Sequence, residues 1–335
     1  MAIRLRDIAN DLNLSTMTIS KVLRGQTDVS VETKARVLKR VQELNYRPNA
    51  SARGLRTGQT YCVGMVVPTL DGAPTPEIVS GANEILRAEG YSVVLSSADG
   101  DIDSEEKEAE LHLSRQVDVL LFFLREDASD LPLTMKNAST PIVLLGHPLP
   151  NASAPSVSVN DIEVGRIATR YLLERGAKRI AYLRGPRTAT ADLRFKGFLE
   201  AMRSASIPVR REWILELQTG EYEYRNALTG ISKLLAKRSR PDGVVAYTDL
   251  AAAGARDAAM EAHLSVPDQF QVIGSGNQIA VCQIGISLTS VDLGFREVGR
   301  RAARLALKLI EKNKPETLRS ANVTPTVIER ASTRE

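Results

Sequence analysis

From Tyr61 onward, short β-rich apolar runs alternate with helical stretches, and this alternation constrains the fold more than any other feature of the sequence. Strand–helix alternation at this pace predicts doubly wound parallel sheets. The roughly 270 residues involved are too many for one compact sheet, so we expect two α/β lobes in tandem. The predicted strands are 61–68, 91–97, 117–123, 141–146, 179–185, 242–248 and 270–276. The predicted helices are 76–89, 104–115, 161–175, 191–205, 223–237, 250–263 and 295–312.

The first 45 residues carry only helical signals. Ser15 precedes TMTISKVLRG as an N-cap, and Gly25 follows as a C-cap. A third helical segment runs from Ser30 to the turn at Asn45. The apolar positions of the first segment fall at helical spacing: Leu5, Ile8, Ala9 and Leu12. Three short helices with a tight turn between the first two predict a helix-turn-helix head.

The charge of the chain is unevenly distributed. Residues 1–60 carry eleven Lys and Arg against five Asp and Glu, whereas the remainder carries 33 against 35. A basic head on a slightly acidic body predicts contact with a polyanion, and a solvated basic surface is the alternative.

A helix that reads DNA must present small or hydrogen-bonding side chains to base edges while its other face packs. In STMTISKVLRG, three residues can face a core: Ile19, Val22 and Leu23. The side chains left toward DNA are Thr16, Met17, Ser20 and Lys21. A plain three-helix bundle would show a similar periodicity.

The sequence offers little to indicate a disulfide-bonded, metal-binding, nucleotide-binding or membrane protein. The cysteines, Cys62 and Cys282, lie far apart and are expected to be buried thiols of a cytosolic protein. Three histidines without HExxH or a Cys/His cluster argue against a metal site. Neither GxGxxG nor GxxxxGK[ST] occurs, so no nucleotide cofactor is expected. An enzyme on the same α/β fold is an alternative from another class, but no catalytic constellation supports it, so the chain is not expected to be an enzyme. No apolar run is long enough for a membrane span, and no signal-peptide pattern opens the chain, so we expect a cytoplasmic location.

Several motifs occur in a recognisable order: DIA, STMTISKVL, VSVET, NYRPN and ARGLRTG in the head, then VGMVVP, GYSVVLSS, LLERGAKRIAYLRGP, LRFKGF and LSVPDQFQVIG. Together they resemble the LacI (lactose/purine repressor) family over essentially the whole chain. The resemblance implies an all-α helix-turn-helix head and an α/β core of two doubly wound parallel-sheet lobes, similar to periplasmic binding proteins. The implied parts are a head at 1–47, a hinge helix or linker at 48–60, a first lobe of 61–159 plus 291–322, and a second lobe of 160–289 plus 323–335. Crossovers are expected near 159–161, 288–292 and 321–324.

The resemblance also implies a DNA interface. Thr16, Met17 and Lys21 match base-reading positions, although Met17 stands where a polar residue is usual and offers only apolar contact. Leu55 matches a leucine that wedges between base pairs from a minor-groove hinge helix; an ordinary linker residue is the alternative. Gly54 stands where Ser is common, so we expect the hinge to fold only on DNA. The expected DNA-binding residues are Leu5, Arg6, Ser15, Thr16, Met17, Thr18, Ser20, Lys21, Arg24, Ser30, Thr33, Tyr46, Asn49, Ala52, Arg53 and Leu55.

A small-molecule effector is expected between the lobes. Arg194 matches an effector-clamping arginine, while Gly146 and Asn277 replace two usual aspartates. Losing two carboxylates beside a retained guanidinium predicts an anionic effector, such as a sugar acid or a phosphorylated sugar. The alternative is a neutral sugar, with Arg194 paired to Asp192. The expected effector-binding residues are Asp71, Gly146, His147, Arg194, Tyr222, Thr248 and Asn277.

These features predict a ligand-responsive transcription regulator. It is expected to be a homodimer, because the C-terminal VIERASTRE carries no leucine heptads for a tetramerising coiled coil. A solute-binding protein of transport is the alternative from another class, but it predicts an export signal and no basic head.

The purified protein should select pseudo-palindromic DNA fragments, because a two-fold protein reads two half-sites. Sequencing the fragments selected with and without candidate ligands tests this. Affinity should fall steeply with salt concentration, and a salt-insensitive affinity would contradict phosphate-dominated binding.

Overall fold

In the computed structural model, the chain divides into two units, residues 1–61 and 62–335. The structure describes residues 3–23, 25–46, 58–70, 74–125, 130–149, 152, 154–217, 222–312 and 320–334.

The head contains the three expected helices, α1 (Leu5–Asp11), α2 (Thr16–Leu23) and α3 (Val31–Glu43). Its small core consists of buried Ile8, Ala9, Ile19, Val22 and Val37. Each helix contributes to this core, so the amphipathic stripes converge as the periodicity predicts.

Both ends of α2 and the start of α3 are capped as expected. The hydroxyl of Ser15 accepts from the amide of Thr18 at 3.0 Å, and that of Ser30 accepts from Thr33 at 3.2 Å. Gly25 has φ +69°. Its amide donates to the carbonyl of Val22, and the next amide donates to that of Lys21, which is a Schellman motif.

The second unit contains twelve strands, nine α-helices and one short 3-10 helix (Arg211–Trp213) among its described residues. The strands are β1 (Cys62–Val67), β2 (Ser92–Ser97), β3 (Val119–Phe123), β4 (Ile142–Leu145), β5 (Ser156–Val159), β6 (Ile180–Arg184), β7 (Ile214–Glu216), β8 (Gly243–Ala246), β9 (Gln271–Ser275), β10 (Thr289–Asp292), β11 (Ala321–Val323) and β12 (Thr326–Ile328). The helices are α4 (Thr75–Ala88), α5 (Ile102–Ser114), α6 (Leu133–Lys136), α7 (Asp161–Glu174), α8 (Ala189–Ser204), α9 (Glu223–Leu235), α10 (Asp249–Glu261), α11 (Ile279–Cys282) and α12 (Phe295–Lys312). Within the described residues, no helix is both long and apolar enough to cross a bilayer.

The strands form two six-stranded sheets, ordered β11-β5-β4-β3-β1-β2 and β12-β10-β9-β8-β6-β7. All pairings are parallel except that of β10 with β12. Central strands such as β1 and β8 are buried almost throughout, as parallel strands covered by helices must be. The expectation of two doubly wound lobes is confirmed.

The chain passes between the two sheets three times. The first crossover, at residue 160, leads from β5 to α7, and the second, at 293–294, leads from β10 to α12. The third, at 324–325, leads from β11 to β12. The last two crossovers lie one to three residues later than the predicted boundaries. Ladder pairing continues through Asp292 in the second sheet and through Val323 in the first, so 291–292 belong to the second lobe and 323 to the first.

Five strands have no counterpart in the sequence prediction: β5, β7, β10, β11 and β12. They contain three or four residues each, and β5 reads SVSV. Such short, partly polar segments carry too little periodicity to be distinguished from loops. Cys62 is also only partly buried, contrary to expectation, because it opens β1 at the edge of the covered region.

Each lobe contains a pair of helices in contact through glycines. In the second lobe, a Cβ on Gly165 of α7 would lie 1.8 Å from the carbonyl oxygen of Arg194, and one on Gly197 of α8 would lie 1.9 Å from that of Ile162. Gly81 of α4 and Gly299 of α12 make the equivalent approach in the first lobe. The first pair brings the start of α7 against Arg194 and so positions the site described below.

Gly197→Ala should lower the free energy of unfolding by about 1–3 kcal/mol, because the new methyl group meets a backbone carbonyl that cannot move away. Gly230→Ala is the control, since its Cβ would meet only the end of the Leu215 side chain, at 2.8 Å. That variant should be neutral or slightly stabilising through helix propensity. Urea unfolding of both variants tests the contrast, and equal effects would contradict it.

Candidate functional site

A cavity of about 470 Å³ lies between the two lobes, at the carboxyl ends of strands from both sheets. Phe123, Leu145 and Val159 reach it from the ends of β3, β4 and β5. Tyr247 and Ser275 reach it from β8 and β9 of the other sheet. This is where open α/β sheets bind ligands, and here a ligand would contact both lobes.

The walls of the cavity combine apolar surface with a limited set of polar groups. The apolar part includes Ile78, Phe123, Leu124, Leu145, Leu149, Leu293, Phe295 and Val298. The polar part includes Arg125, His147, Ser158, Asp161, Thr190, Arg194, Thr248, Ser275 and Gln278. This composition suits a small molecule with an apolar face and several hydrogen-bonding groups.

A buried ion pair forms the polar centre of the cavity. The Arg194 Nε donates to Asp161 Oδ1 at 2.7 Å, and its Nη1 donates to the carbonyl of Tyr247 at 3.1 Å. Asp161 opens α7, and Arg194 lies in α8. Both side chains are less than 10% exposed, so each charge depends on the other for compensation.

The same carboxylate also contacts the opposite lobe. The Nε2 of His147 lies 3.3 Å from Asp161 Oδ2. His147 follows β4 in the first lobe, whereas Asp161 follows the first crossover. The three side chains therefore form a polar chain across the cleft.

The pKa values of the pair reflect its burial and its mutual attraction. Burial alone would raise the pKa of Asp161, but the charge of Arg194 and the hydrogen bond from His147 hold it below the ordinary value. Burial alone would lower the pKa of Arg194, and the charge of Asp161 raises it instead. Both groups are therefore charged at neutral pH, and their charges cancel.

The other arginine of the cavity has a carboxylate partner too. The Nε of Arg125 lies 3.2 Å from the Oε2 of Glu105, whose side chain is 8% exposed. The pairing of Arg194 with Asp192, which the neutral-effector alternative assumed, is wrong, because Asp192 pairs with Arg184 and the approach of α7 to α8 gives Arg194 a buried partner in Asp161.

Four of the expected effector residues line the cavity: Gly146, His147, Arg194 and Thr248. Asp71 lies outside the described residues. Tyr222 and Asn277 are not among the lining residues. Tyr222 precedes α9 and is 57% exposed.

The side chain of Asn277 is hydrogen-bonded within the second lobe. Its Nδ2 donates to Asp292 at 3.1 Å, and its Oδ1 accepts from Arg330 at 2.6 Å. It thereby ties the end of β9 to the end of β10 and to the C-terminal segment. The side chain amide is used within the lobe instead of facing the cavity.

Sequence reasoning missed Asp161, Tyr247 and Gln278. Asp161 follows the predicted first crossover and the helix cap Asn160, so its position at a lobe boundary was a usable signal. Gln278 had no such signal, because its position depends on a contact remote in sequence, in which its backbone N–H donates to Asp249 Oδ2 at 2.7 Å.

The outward surface of α2 is the candidate DNA interface in the head. Thr16 and Met17 are exposed, with Met17 at 59%, and Lys21 is partly exposed. Ser20, however, is buried, so the expectation that it faces outward is wrong. The preceding residue, Ile19, is part of the head core.

The other expected DNA-binding residues fall into four groups. Arg6 is exposed. Leu5 and Tyr46 pack against the head core, and burial raises the pKa of Tyr46. The hydroxyl pairs Ser15–Thr18 and Ser30–Thr33 are hydrogen-bonded at 2.9 and 2.8 Å around the starts of α2 and α3. Arg24, Asn49, Ala52, Arg53 and Leu55, together with Gly54, lie outside the described residues.

Asp161→Asn should lower the free energy of unfolding at pH 7 by about 3 kcal/mol, because it leaves Arg194 buried without a counter-charge. The folded pKa of Asp161 lies below its ordinary value of 3.8. The stabilisation is therefore complete above that value and is lost as the pH falls through the lower folded value. Urea unfolding at several pH values measures it. Asp192→Asn, which removes a carboxylate with a 62% exposed side chain, is the control and should change little.

Two family models match the chain. The model for "Bacterial regulatory proteins, lacI family" matches residues 4–49, and that for "Periplasmic binding protein-like domain" matches residues 169–333. These matches cover the head with its three helices and the greater part of the two-lobed core.

Curated and solved relatives extend over nearly the whole chain. The HTH-type transcriptional repressor PurR of Mannheimia succiniciproducens is 32% identical over 91% of each chain. A CelR–cellobiose complex is 25% identical, covers 98% of this chain and 99% of its own, and superposes with a TM-score of 0.71. A lac repressor dimer bound to operator and the anti-inducer ONPF is 21% identical over 99% of each chain, with a TM-score of 0.80, and shows the same fold.

The relatives are transcriptional repressors and not enzymes, as the sequence predicted. The head, the two parallel-sheet lobes and the identity over nearly the full length agree. The chain belongs to the lacI family of bacterial regulatory proteins and is a DNA-binding transcriptional regulator.

Proposed function

We propose that this protein is a cytoplasmic, dimeric repressor that binds a pseudo-palindromic operator and is controlled by a small molecule in the cavity between its lobes. The observation that carries the proposal is the cavity itself, whose walls come from the strand ends of both sheets and contain the buried pair of Asp161 and Arg194. The lac repressor of similar fold is a dimer on its operator, and we propose the same assembly here.

In the head, Thr16, Met17 and Lys21 are proposed to read base edges from α2. Their exposure on one helix, opposite the buried Ile19 and Val22, supports this. Met17 would contact a thymine methyl group. The hydroxyl groups that cap α2 and α3 lie where helix amide groups can meet phosphates.

Effector control would arise because the walls of the cavity are shared between the two lobes. A ligand that contacts both lobes favours the lobe arrangement in which all its contacts form, and it shifts the equilibrium only by its difference in affinity for the two arrangements. The second and third crossovers are proposed to move together, because Gly294, with φ +67°, lies so close to Val323, the residue before the third crossover, that a Cβ would be 2.7 Å from its Cγ1.

The charges around the cavity favour a neutral effector over the anionic one expected from sequence. The anionic expectation relied on an uncompensated Arg194, but Asp161 compensates it, and Glu105 does the same for Arg125. An added anion would compete with carboxylates already in place. The CelR relative was solved with cellobiose, a neutral sugar. We therefore propose a neutral, polyhydroxylated ligand with an apolar face.

Calorimetric titration with matched neutral and acidic sugars tests the class of effector. Neutral members should bind and their acids should bind at least about tenfold more weakly, because the acids bring an unpaired charge into the cleft. Tight binding confined to the acids would overturn the neutral proposal.

Thr190→Val tests whether the effector binds in the cavity, because Thr190 lines the cavity and is 9% exposed. Losing its hydroxyl should weaken the best neutral ligand about fivefold, as expected for one hydrogen bond. Thr229→Val makes the same chemical change in an exposed groove beside β7 in the same lobe and should leave binding unchanged. Equal effects of the two substitutions would place the ligand elsewhere.

A further inference from the structure

We infer that Asp28, in the loop between α2 and α3, is a positioning residue that aims Lys21 at base edges and so contributes to the sequence specificity of the head. The inference rests on the proposed reading of DNA by α2. Asp28 is not among the residues expected to bind DNA, and its negative charge stands on a surface that would approach a polyanion.

The two side chains form an ion pair, with Lys21 Nζ donating to Asp28 Oδ2. The Lys21 side chain is 35% exposed and that of Asp28 is 53% exposed, so the pair lies at the surface and not in the core. The hydrogen bond from Lys21 and the charges of Lys21 and Lys34 hold the pKa of Asp28 below its ordinary value. Asp28 is therefore an anion at every pH at which the protein would bind DNA.

The loop that carries Asp28 is anchored at both ends. On one side, Gly25 and Gln26 complete the Schellman motif of α2. On the other, Val29 packs against the head core and Ser30 caps α3. The carboxylate consequently has a defined place relative to α2 instead of moving with a free loop.

A fixed carboxylate changes what Lys21 can do. A lysine has a flexible four-carbon stem and a point charge that pairs readily with any phosphate. With one of its three N–H groups held by Asp28, the ammonium is restricted in position, and two donors are left for a base acceptor. The carboxylate also repels a phosphate that would compete for the same ammonium. Asp28 thus favours base contact over backbone contact by Lys21.

The head offers a matched control. Asp11 pairs with Arg40, and its side chain is 44% exposed. That pair joins α1 to α3 and does not involve α2. Asp11→Asn and Asp28→Asn therefore remove the same charge from the same small unit, and only the second releases a side chain of α2.

The experiment uses the full chain and fluorescence anisotropy titrations over a range of salt concentrations. The duplexes are the fragment that the wild-type protein selects from a random library, single-base-pair variants of its half-sites, and an unrelated duplex. Asp28→Asn should bind the unrelated duplex more tightly, with a steeper salt dependence, by about 0.9 in the log–log slope for one added phosphate contact. Its discrimination at one base-pair position should fall about fivefold, the upper end expected for an exposed pair. Asp11→Asn should keep wild-type discrimination.

Lys21→Met, alone and combined with Asp28→Asn, completes a double-mutant cycle. Discrimination at the same position should be lost in Lys21→Met, and Asp28→Asn should have no further effect in that background. If Asp28→Asn and Asp11→Asn reduce discrimination equally, or if the Asp28 effect persists without Lys21, the inference is wrong while base reading by α2 stands. If Lys21→Met itself keeps wild-type discrimination, the proposed role of Lys21 fails and the inference fails with it.

Discussion

The buried pair of Asp161 and Arg194 is the interaction on which the cavity between the lobes depends. Neither charge can be buried alone, because the cost of removing an ion from water far exceeds what packing returns. Their Nε–Oδ1 distance of 2.7 Å is made possible by α7 and α8, which approach each other through Gly165 and Gly197. Helix packing thereby determines the charge balance of the cavity, and through it the class of molecule that the cavity suits.

The same carboxylate connects this pair to the opposite lobe through His147. The cleft is therefore bridged by a polar contact and also by three crossovers. Gly294 of the second crossover lies against Val323, the last residue of β11 before the third crossover. Asn277 links Asp292, the last residue of β10 before the second crossover, to Arg330 in the C-terminal segment.

The long regular elements were predictable from the sequence because each has a full period of apolar residues. All seven predicted strands and all seven predicted core helices are present, and Ser15, Ser30 and Gly25 cap the head as their residue types indicate. The prediction missed the short strands β5, β7, β10, β11 and β12, which lack the continuous apolar run of the equally short β4 and β8 and which exist because a neighbouring strand supplies their partners. Ser20 was misjudged for a similar reason, since helical periodicity does not say how far the edge of a core extends over a small side chain.

By itself, the sequence determined the order of the elements, the head with its caps, the two-lobed core and the membership of a family of DNA-binding regulators. These depend on local periodicity and on motifs that are contiguous in the chain. The tertiary structure decided the partners of the charged groups. Arg194 is paired with Asp161, 33 positions away, and not with Asp192 two positions away. Pairing of buried charges follows spatial neighbours, which only the packing of α7 against α8 defines.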